Sequence, residues 1–569
     1  MPDLPTTPEE LLTWEWPQFD PFAVELAGRP LSQDNLSQWL LDWSRLRDCM
    51  DELSYRLNVA TTVNTADATA QKRLQNFYDT IYPTAMQADQ VLKQKLLASG
   101  LEPAGYDVAL RNMRAAADLY RPENLELLAE EQKLNTRYDS IIGAQSVQWD
   151  GKEMTVTQLR PVYQEMDRSR REQAWRLGSQ RQLADRQSLN TLWQELFALR
   201  QRIAANAGKP NFRAYRWQQL NRFYYTPEDC KQFHRAIEEV VVPAANRVYR
   251  RRQERLGLAS LRPWDLFIDP HGRPPLHPFD TVEQLKTGAS AIFHRVDPQL
   301  GAYFEVMRDE NLLDLDNRAN KAPGGYSTIF PMSRRPFIFM NAVGIDDDVQ
   351  TLLHEGGHSF QDFEMYVIPY SHLREIPMEF AEVASMSMEL LTSPYLAREW
   401  GGFYSRSEAA RALIEHLEWD ITFWPSMAAI DAFQHWAYEN PELALNPAAC
   451  DETYFNLHSR FLPGVDWSGL EDILATRWQR VLHIYQLPFY MVEYGLAQLG
   501  AVQIWRNALA DQAGAVAAYR HGMALGNSLP LPQLYQAAGA RLAFDAAALN
   551  EAVTLMESKI QELETLAEN

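Results

Sequence analysis

The stretch "TLLHEGGHSF", residues 351–360, is the part of the sequence on which the interpretation of the whole chain depends. It carries His354 and His358 four residues apart, with Glu355 directly after the first histidine. Aspartates at 346–348 supply N-cap candidates and negative charge for the start of a helix. In a helix, residues i and i+4 lie about 40° apart around the axis, so both imidazoles can face one ion. The stretch predicts a metal-binding helix in which the glutamate reaches a water without ligating the metal.

A catalytic zinc site takes three protein ligands, so a third ligand must come from another part of the chain. The segment "IPMEFAEVASMSMELL", residues 376–391, predicts a second helix that carries Glu379, Glu382 and Glu389. Spacing alone leaves Glu379 and Glu382 as rival third ligands. Glu382 and Glu389 share one helix face, so one can ligate while the other orients a histidine. The alternative interpretation is a surface helix with two solvated histidines, but the flanking Leu352, Leu353 and Phe360 indicate a buried helix.

Composition limits the classes of protein. The chain has 569 residues and a formal net charge of −21, which argues against nucleic acid as a partner. Its three cysteines are widely spaced and predict neither a disulfide framework nor a thiolate zinc site. The first twenty residues lack a basic and apolar leader pattern, and no run approaches the ~20 apolar residues of a membrane span. We therefore expect a soluble cytoplasmic protein with no membrane partner.

Periodicity predicts a mainly α protein with a small β-sheet. Apolar residues recur at three- and four-residue spacing from about 32 to 205, and the chain is again mostly helical after 348. A hairpin is expected at 147–156, turning on Asp150-Gly151. Strands are expected at three further places: 264–269, 324–330 and 335–341.

The stretch "AGKPNF" at 207–212 breaks the helical pattern and predicts a seam between two domains. The predicted division is an N-terminal helical domain, residues 1–205, and a catalytic domain, residues 206–569.

The sequence resembles the thimet oligopeptidase and oligoendopeptidase F family of zinc peptidases, most of all its bacterial oligoendopeptidase and Pz-peptidase branch. The resemblance is carried by "HEGGHSFQ" and "EFAEVASMSMELL", and it extends over most of the C-terminal two-thirds of the chain. It implies one Zn²⁺ ion held by His354, His358 and Glu382. It also implies a zincin-type (gluzincin) catalytic region beside a small sheet, with the helical N-terminal part roofing a deep substrate channel.

The same resemblance implies that a late segment, "LHIYQLPFYMVEYG", binds the oxyanion formed when a peptide carbonyl is attacked. We expect His483, Tyr490 and Tyr494 to act there, with Tyr485 as a possible substitute for one of the tyrosines. A helix starting at Pro488 would place Tyr490 and Tyr494 on one face. The alternative is an amphipathic core helix with buried tyrosines.

The strand at 337–341 has two interpretations. It is either an edge strand that pairs with the substrate backbone or an ordinary sheet strand that precedes the metal helix.

The predicted function is a zinc-dependent endopeptidase that hydrolyses internal bonds of short oligopeptides. A zinc-bound water attacks the carbonyl, and Glu355 acts as general base and later returns the proton to the leaving amine. The first alternative is a zinc carboxypeptidase that releases C-terminal residues, and the second is a non-catalytic peptide-binding protein. Short peptides are the expected partners, and the oligomeric state stays open.

Overall fold

The computed structural model describes residues 4–567, and most of them are helical. The helices are α1 Pro8–Leu11, α2 Trp16–Gly28, α3 Leu36–Val63, α4 Ala68–Asn76, α5 Tyr82–Ser99, α6 Asp107–Leu119, α7 Asn124–Gly143, α8 Arg168–Ala184, α9 Arg186–Asn206, α10 Phe212–Gln219, α11 Pro227–Ala236, α12 Val242–Arg255, α13 Val282–Val296, α14 Pro298–Asp309, α15 Asp346–Met365, α16 Met378–Thr392, α17 Arg406–Glu439, α18 Pro441–Ala444, α19 Pro447–Phe461, α20 Glu471–Ala475, α21 Leu482–Tyr485, α22 Met491–Ala510, α23 Gln512–Ala524, α24 Leu531–Ala537 and α25 Ala546–Ala567. The strands are β1 Ser146–Trp149, β2 Lys152–Thr155, β3 Leu313–Asp316, β4 Tyr326–Phe330 and β5 Arg335–Ala342. The prediction of a mainly α protein with a small sheet is confirmed. Within residues 4–567, no helix has the length and apolarity needed to cross a membrane.

The sheet that precedes the metal helix has the order β3-β5-β4, with β3 parallel and β4 antiparallel to β5. Of the two interpretations of residues 337–341, the edge strand that pairs with substrate is wrong and the ordinary sheet strand is confirmed, because β5 lies in the centre and both of its sides are paired. Its side chains Ile338 and Phe339 are fully buried, as expected for a central strand. The edge strands are β3 and β4, and the Ser327 hydroxyl of β4 lies 3.1 Å from the hydroxyl of Ser359 on α15.

Two other strand predictions had opposite outcomes. The hairpin β1–β2 is confirmed, and Asp150 and Gly151 at its turn have φ of 48° and 76°, the left-handed backbone that such turns need. The strand predicted at 264–269 is wrong, because Pro263–Asp265 is a short 3₁₀ turn. There the buried Asp265 carboxylate accepts hydrogen bonds from Arg168 and Arg171, a set of contacts that β-propensity does not reveal.

The helices enclose two main hydrophobic cores. The first joins the N-terminal helices α1–α6, and the second extends from Leu119 in α6 to Ile560 in α25. Trp193 and Phe197 of α9 lie in the second core, together with residues of α15, α16 and α22. The proposed seam at 207–212 is the connection between α9 and α10, and the division of the chain at residue 205 stays a prediction.

Candidate active site

Helix α15 begins where the aspartates predicted it. The N-cap is Ile345, and the Asp348 carboxylate in the first turn accepts hydrogen bonds from the backbone N–H groups of Val343, Gly344 and Ile345 at 2.8–3.0 Å. These bonds tie the end of β5 to the start of the helix. The direction of α15 is therefore fixed one turn before the first histidine.

The glycine pair of the motif lets two neighbouring elements approach α15. A Cβ added to Gly357 would lie 2.6 Å from Ser385 Cα and 2.7 Å from the Ala384 carbonyl oxygen of α16. A Cβ on Gly356 would lie 2.7 Å from the ring of Phe293. Such distances are shorter than real side chains tolerate, so this close packing of α16 requires glycine at 357. The packing brings the Glu382 face of α16 against the histidines.

Donor atoms of His354, His358 and Glu382 lie within 4.8 Å of one another, and these three residues are called the α15–α16 cluster here. The Nε2 atoms of His354 and His358 are 3.5 and 3.7 Å from Glu382 Oε2. Two ligand atoms bound to one tetrahedral zinc ion lie roughly 3.3–3.5 Å apart. The residues present therefore fit a zinc ion. Glu379, the rival ligand, lies elsewhere, because its carboxylate accepts a hydrogen bond from the Tyr225 hydroxyl.

A chain of partly buried polar groups, ending at the buried Asp420, continues behind His354. Its Nδ1 lies 2.7 Å from Glu389 Oε1, the orienting contact expected from the shared face of Glu382 and Glu389. The other oxygen of Glu389 lies 3.4 Å from His416 Nε2, which in turn lies 3.7 Å from Asp420. Sequence reasoning missed His416 and Asp420, although their i, i+4 spacing in "HLEWD" was a signal. With Nδ1 held by Glu389, the Nε2 atom of His354 is left to face Glu382.

Electrostatics of the α15–α16 cluster follow from burial and these carboxylates. Burial lowers the pKa of His354, but the hydrogen bond and charge of Glu389, with the charges of Glu382 and Glu355, raise that pKa to about 9. Burial lowers the pKa of His358, and Glu382 only partly opposes the effect. A cation bound between these groups would replace the proton that His354 otherwise holds.

Glu355 lies in α15 between the two histidines, and its residue is 8% exposed. The converging donor atoms belong to its neighbours and to Glu382. The role of Glu355 as a base beside the metal site stays a prediction.

His483, Tyr490 and Tyr494 form one cluster against Glu382. Their ring centroids are 5.2–5.8 Å apart, and the Tyr490 hydroxyl donates to Glu382 Oε1 at 3.2 Å. Burial, the charge of Glu382 and other nearby groups raise the pKa of both tyrosines, so their hydroxyls keep their protons. Burial lowers the pKa of His483. These groups are hydrogen-bond donors in the protonation states present near neutral pH.

The route of the chain to this cluster differs from the prediction. The helix predicted to start at Pro488 begins at Met491, with Tyr490 as its N-cap. The cause is Phe489, whose φ of 66° is left-handed and ends any helix at that residue. Its backbone is held by Gln434, which accepts its N–H, and by Arg222, which donates to its carbonyl oxygen.

Tyr485, the possible substitute, belongs to the core and not to the site. It is fully buried, stacks on Tyr138 and donates its hydroxyl to the Leu189 carbonyl oxygen at 3.1 Å.

Donor atoms of Cys230, Asp431 and His435 also lie within 4.8 Å of one another, and these residues are called the α11–α17 cluster. All three are buried, and the Asp431 carboxylate lies 2.8 Å from His234 Nε2. Arg213 Nη1 lies 3.1 Å from His435 Nδ1. Since arginine only donates, this Nδ1 is the acceptor, so the Nε2 atom of a neutral His435 carries the proton. That nitrogen then has no lone pair to offer a metal, and the cluster is a buried polar network.

Comparison with known proteins names the class of this chain. The model of peptidase family M3 matches residues 162–554, well over half of the sequence. The chain belongs to peptidase family M3.

The individual relatives share low sequence identity with this chain, over only part of their length. The chain is 23% identical over 342 residues to the chromosomal oligoendopeptidase F of Lactococcus lactis subsp. cremoris. The aligned region covers 58% of this chain and 53% of the relative. The chain is 23% identical over 257 residues to oligopeptidase PepF of Bacillus subtilis strain 168, or 45% of this chain and 37% of the relative. These matches thus span about half or less of the length of the curated relatives.

Solved structures match over nearly the whole chain. Pz peptidase A, solved with an inhibitor, superposes with a TM-score of 0.87 at 25% identity, covering 99% of both chains. Oligoendopeptidase F of Enterococcus faecium superposes with a TM-score of 0.61 at 14% identity, covering 98% of both, which shows a shared fold.

Proposed function

We propose that this chain is a zinc-dependent endopeptidase that hydrolyses internal bonds of short peptides. The observation that carries the proposal is the convergence of His354, His358 and Glu382 beside Glu355, with the Tyr490 hydroxyl bonded to Glu382. Membership of peptidase family M3 supports the class of reaction.

The α15–α16 cluster would hold the ion. When bound, zinc supplies a Lewis acid that polarises a peptide carbonyl and lowers the pKa of a water to about 7. Glu355 takes the proton from the attacking water and delivers it to the leaving amine. Tyr490 and Tyr494 donate their hydroxyls, and His483 its ring N–H, toward the negative charge that develops on the carbonyl oxygen.

The test is cleavage of a quenched peptide of nine or ten residues by the purified protein. Removal of metal with a chelator should abolish cleavage, and one equivalent of zinc should restore it. Glu355→Gln should keep zinc and lose about 10³-fold or more in turnover, because the base and the proton donor to the amine are lost together. Glu364→Gln, on the same helix but paired with Arg520, should retain activity. If Glu355→Gln keeps more than about a tenth of wild-type turnover, the assigned role is wrong.

Products separate the endopeptidase from a carboxypeptidase. Mass spectrometry of a digested peptide library should show internal cuts that give two multi-residue fragments. Stepwise loss of single C-terminal residues would favour the carboxypeptidase and contradict the proposal.

The restriction to short peptides is part of the proposal. It is supported by two ion pairs that join α3 of the N-terminal helices to the segment before α16: Arg47 to Glu375 at 2.7 Å, and Asp48 to Arg374. N-terminal helices held over the site by these contacts would exclude folded proteins. Rates on a length series with one shared cleavable core should fall beyond roughly 20 residues, about 70 Å when extended. Digestion of reduced casein at an equal rate per site would contradict the roof.

A further inference from the structure

A cavity of about 210 Å³ lies one helical turn from the α15–α16 cluster. Glu379, in its wall, comes three residues before Glu382 on α16, and Glu493, also in the wall, comes three residues after Tyr490. Helix α6 closes the cavity from the side of the N-terminal helices, with Arg111 and its neighbours. This volume is many times the ~10–15 Å³ that a single water molecule requires. The cavity is therefore large enough for the end of one amino-acid residue.

Arg111 brings a positive charge without a counter-ion into this wall. Its guanidinium lies 4.4 and 4.5 Å from the ring centroids of Phe223 and Tyr224, which hold it by cation–π contact. Its Nη2 donates to Asn112 Oδ1 at 3.3 Å, and its Nε is buried without a hydrogen-bond partner. Across residues 4–567, no side-chain carboxylate oxygen lies within 4.0 Å of this guanidinium. In a chain of net charge −21, such an arginine is an unusual feature of a cavity wall.

The carboxylates of the same wall are already paired with other cations. Glu375 pairs with Arg47 at 2.7 Å. Glu379 and Glu493 share the fully buried Arg222 side chain, at 3.6 and 2.6 Å. Burial raises the pKa of Glu493 to about 8, so near neutral pH its carboxyl is protonated and Glu379 is left to pair with Arg222. The charge left to attract a ligand is the positive charge of Arg111.

We propose that this cavity binds a carboxylate of the peptide substrate through Arg111. The inference rests on the proposed peptidase function and specifies its substrates. The turn between Glu379 and Glu382 rises about 4.5 Å, and an extended residue spans ~3.3–3.6 Å. The wall of the cavity thus comes within one helical turn of Glu382 on α16, and we expect a carboxylate bound in the cavity to belong to a residue near the scissile bond. It is either the C-terminal carboxylate of a short peptide or the side chain of an Asp or Glu.

The test uses three quenched peptides that share one cleavable core. The first ends in a free C-terminal carboxylate, and the second is its C-terminal amide. The third is the same amide with a single Asp, placed two to four residues before or after the cleaved bond. Each is assayed with wild type, Arg111→Gln and Arg114→Gln. Arg114 is the matched control, because it lies on the same helix but pairs with Glu102 at the surface. Melting temperatures verify that the variants are folded.

Wild type should prefer one of the two carboxylate-bearing peptides over the plain amide by roughly 10- to 100-fold in kcat/KM, mainly through KM, as expected for a charge-assisted hydrogen bond. A preference for the free acid identifies the C-terminus, and a preference for the Asp peptide identifies a side chain. Arg111→Gln should remove the preference and cleave the plain amide as wild type does, while Arg114→Gln should keep the preference. Equal cleavage of all three peptides by wild type, or an unchanged preference in Arg111→Gln, would overturn the inference and leave the peptidase proposal intact. Absence of any cleavage would instead contradict the peptidase proposal.

Discussion

The α15–α16 and α11–α17 clusters are built from similar side chains on pairs of helices, yet only the first fits a metal. In the first, the side chains of His354 and His358 are 25% and 22% exposed. In the second, Cys230, Asp431 and His435 are all within 2% of full burial. Distance between donor atoms does not separate the two clusters, since both meet the same 4.8 Å limit.

The difference lies in the neighbours of the histidines. His354 Nδ1 faces a carboxylate, which accepts its proton and leaves Nε2 free to ligate. His435 Nδ1 faces Arg213, which leaves the proton on Nε2, the atom directed at Asp431. Whether a histidine can bind a metal thus depends on the hydrogen-bond partner of its other ring nitrogen, here Nδ1, as much as on which residues converge.

The largest expected effect is on zinc content. Glu382→Ala should weaken zinc binding by more than ~100-fold, because it removes a direct ligand, whereas Glu379→Ala should keep the metal. Asp431→Asn should also keep one zinc per chain but lower the melting temperature, because the His234 ring then bonds a neutral amide instead of a buried carboxylate, at a cost of about 1–3 kcal/mol. Metal analysis and thermal melts of the three variants check this. Loss of zinc from Asp431→Asn, or retention of zinc by Glu382→Ala, would contradict the assignment of the metal to the α15–α16 cluster.

A second contrast, between a residue of the site and a residue of the core, separates Tyr490 from Tyr485, the two tyrosines that the sequence offered for binding the oxyanion. Tyr490→Phe should lower kcat by about 10²-fold with little change in stability, because its hydroxyl lies at the site beside Glu382. Tyr485→Phe should leave kcat unchanged and reduce stability by about 1 kcal/mol, since its hydroxyl bonds only the Leu189 carbonyl oxygen. Steady-state kinetics and denaturant titration distinguish these results. A normal kcat in Tyr490→Phe would remove this residue from the mechanism.

Local spacing predicted the parts of the fold that depend on one or two helices. The starts of α15 and α16, the shared face of Glu382 and Glu389, and the Asp150-Gly151 turn all follow from residues close together in sequence. The placement of His354, His358 and Glu382 together needed the family resemblance, because no local rule brings α16 onto α15. The contact of Gly357 with Ser385 provides that packing.

Features that depend on distant partners were not predictable. The central position of β5 is set by β3, which the sequence did not mark as a strand. The left-handed Phe489 is held by Gln434 of α17 and by Arg222 of the α10–α11 connection, and it moved the start of α22 three residues past Pro488. In each case a long-range contact overrode a local preference.

The effect on zinc affinity of the carboxylate beside His354 Nδ1 can be tested directly. Glu389→Gln replaces the carboxylate beside His354 with an amide, and it should weaken zinc binding by ~10- to 100-fold while leaving one ion per chain at saturation. Asp420→Asn, two contacts further from His354, should have a smaller effect. Competition with a chelator measures both. Equal affinities of wild type and Glu389→Gln would show that the neighbour of the ring does not matter, and would break the explanation given for the two clusters.

The smallest effect is the slope of zinc affinity with pH. In the metal-free protein the pKa of His354 is raised from 6.5 to about 9. The protonated imidazole therefore stabilises the folded metal-free protein fully below pH 6.5, and this stabilisation is lost as the pH rises through 9. Zinc has to displace this proton, so its affinity should rise by up to ~10-fold per pH unit and level off near pH 9. A histidine with an ordinary pKa would level off near 6.5. Chelator competition from pH 6 to 10 measures the curve, and Glu389→Gln should shift its plateau to lower pH, because the first of the carboxylates that raise the pKa is gone. A wild-type curve already flat above pH 7 would mean that Glu389 does not hold the proton of His354 in the way its 2.7 Å contact indicates.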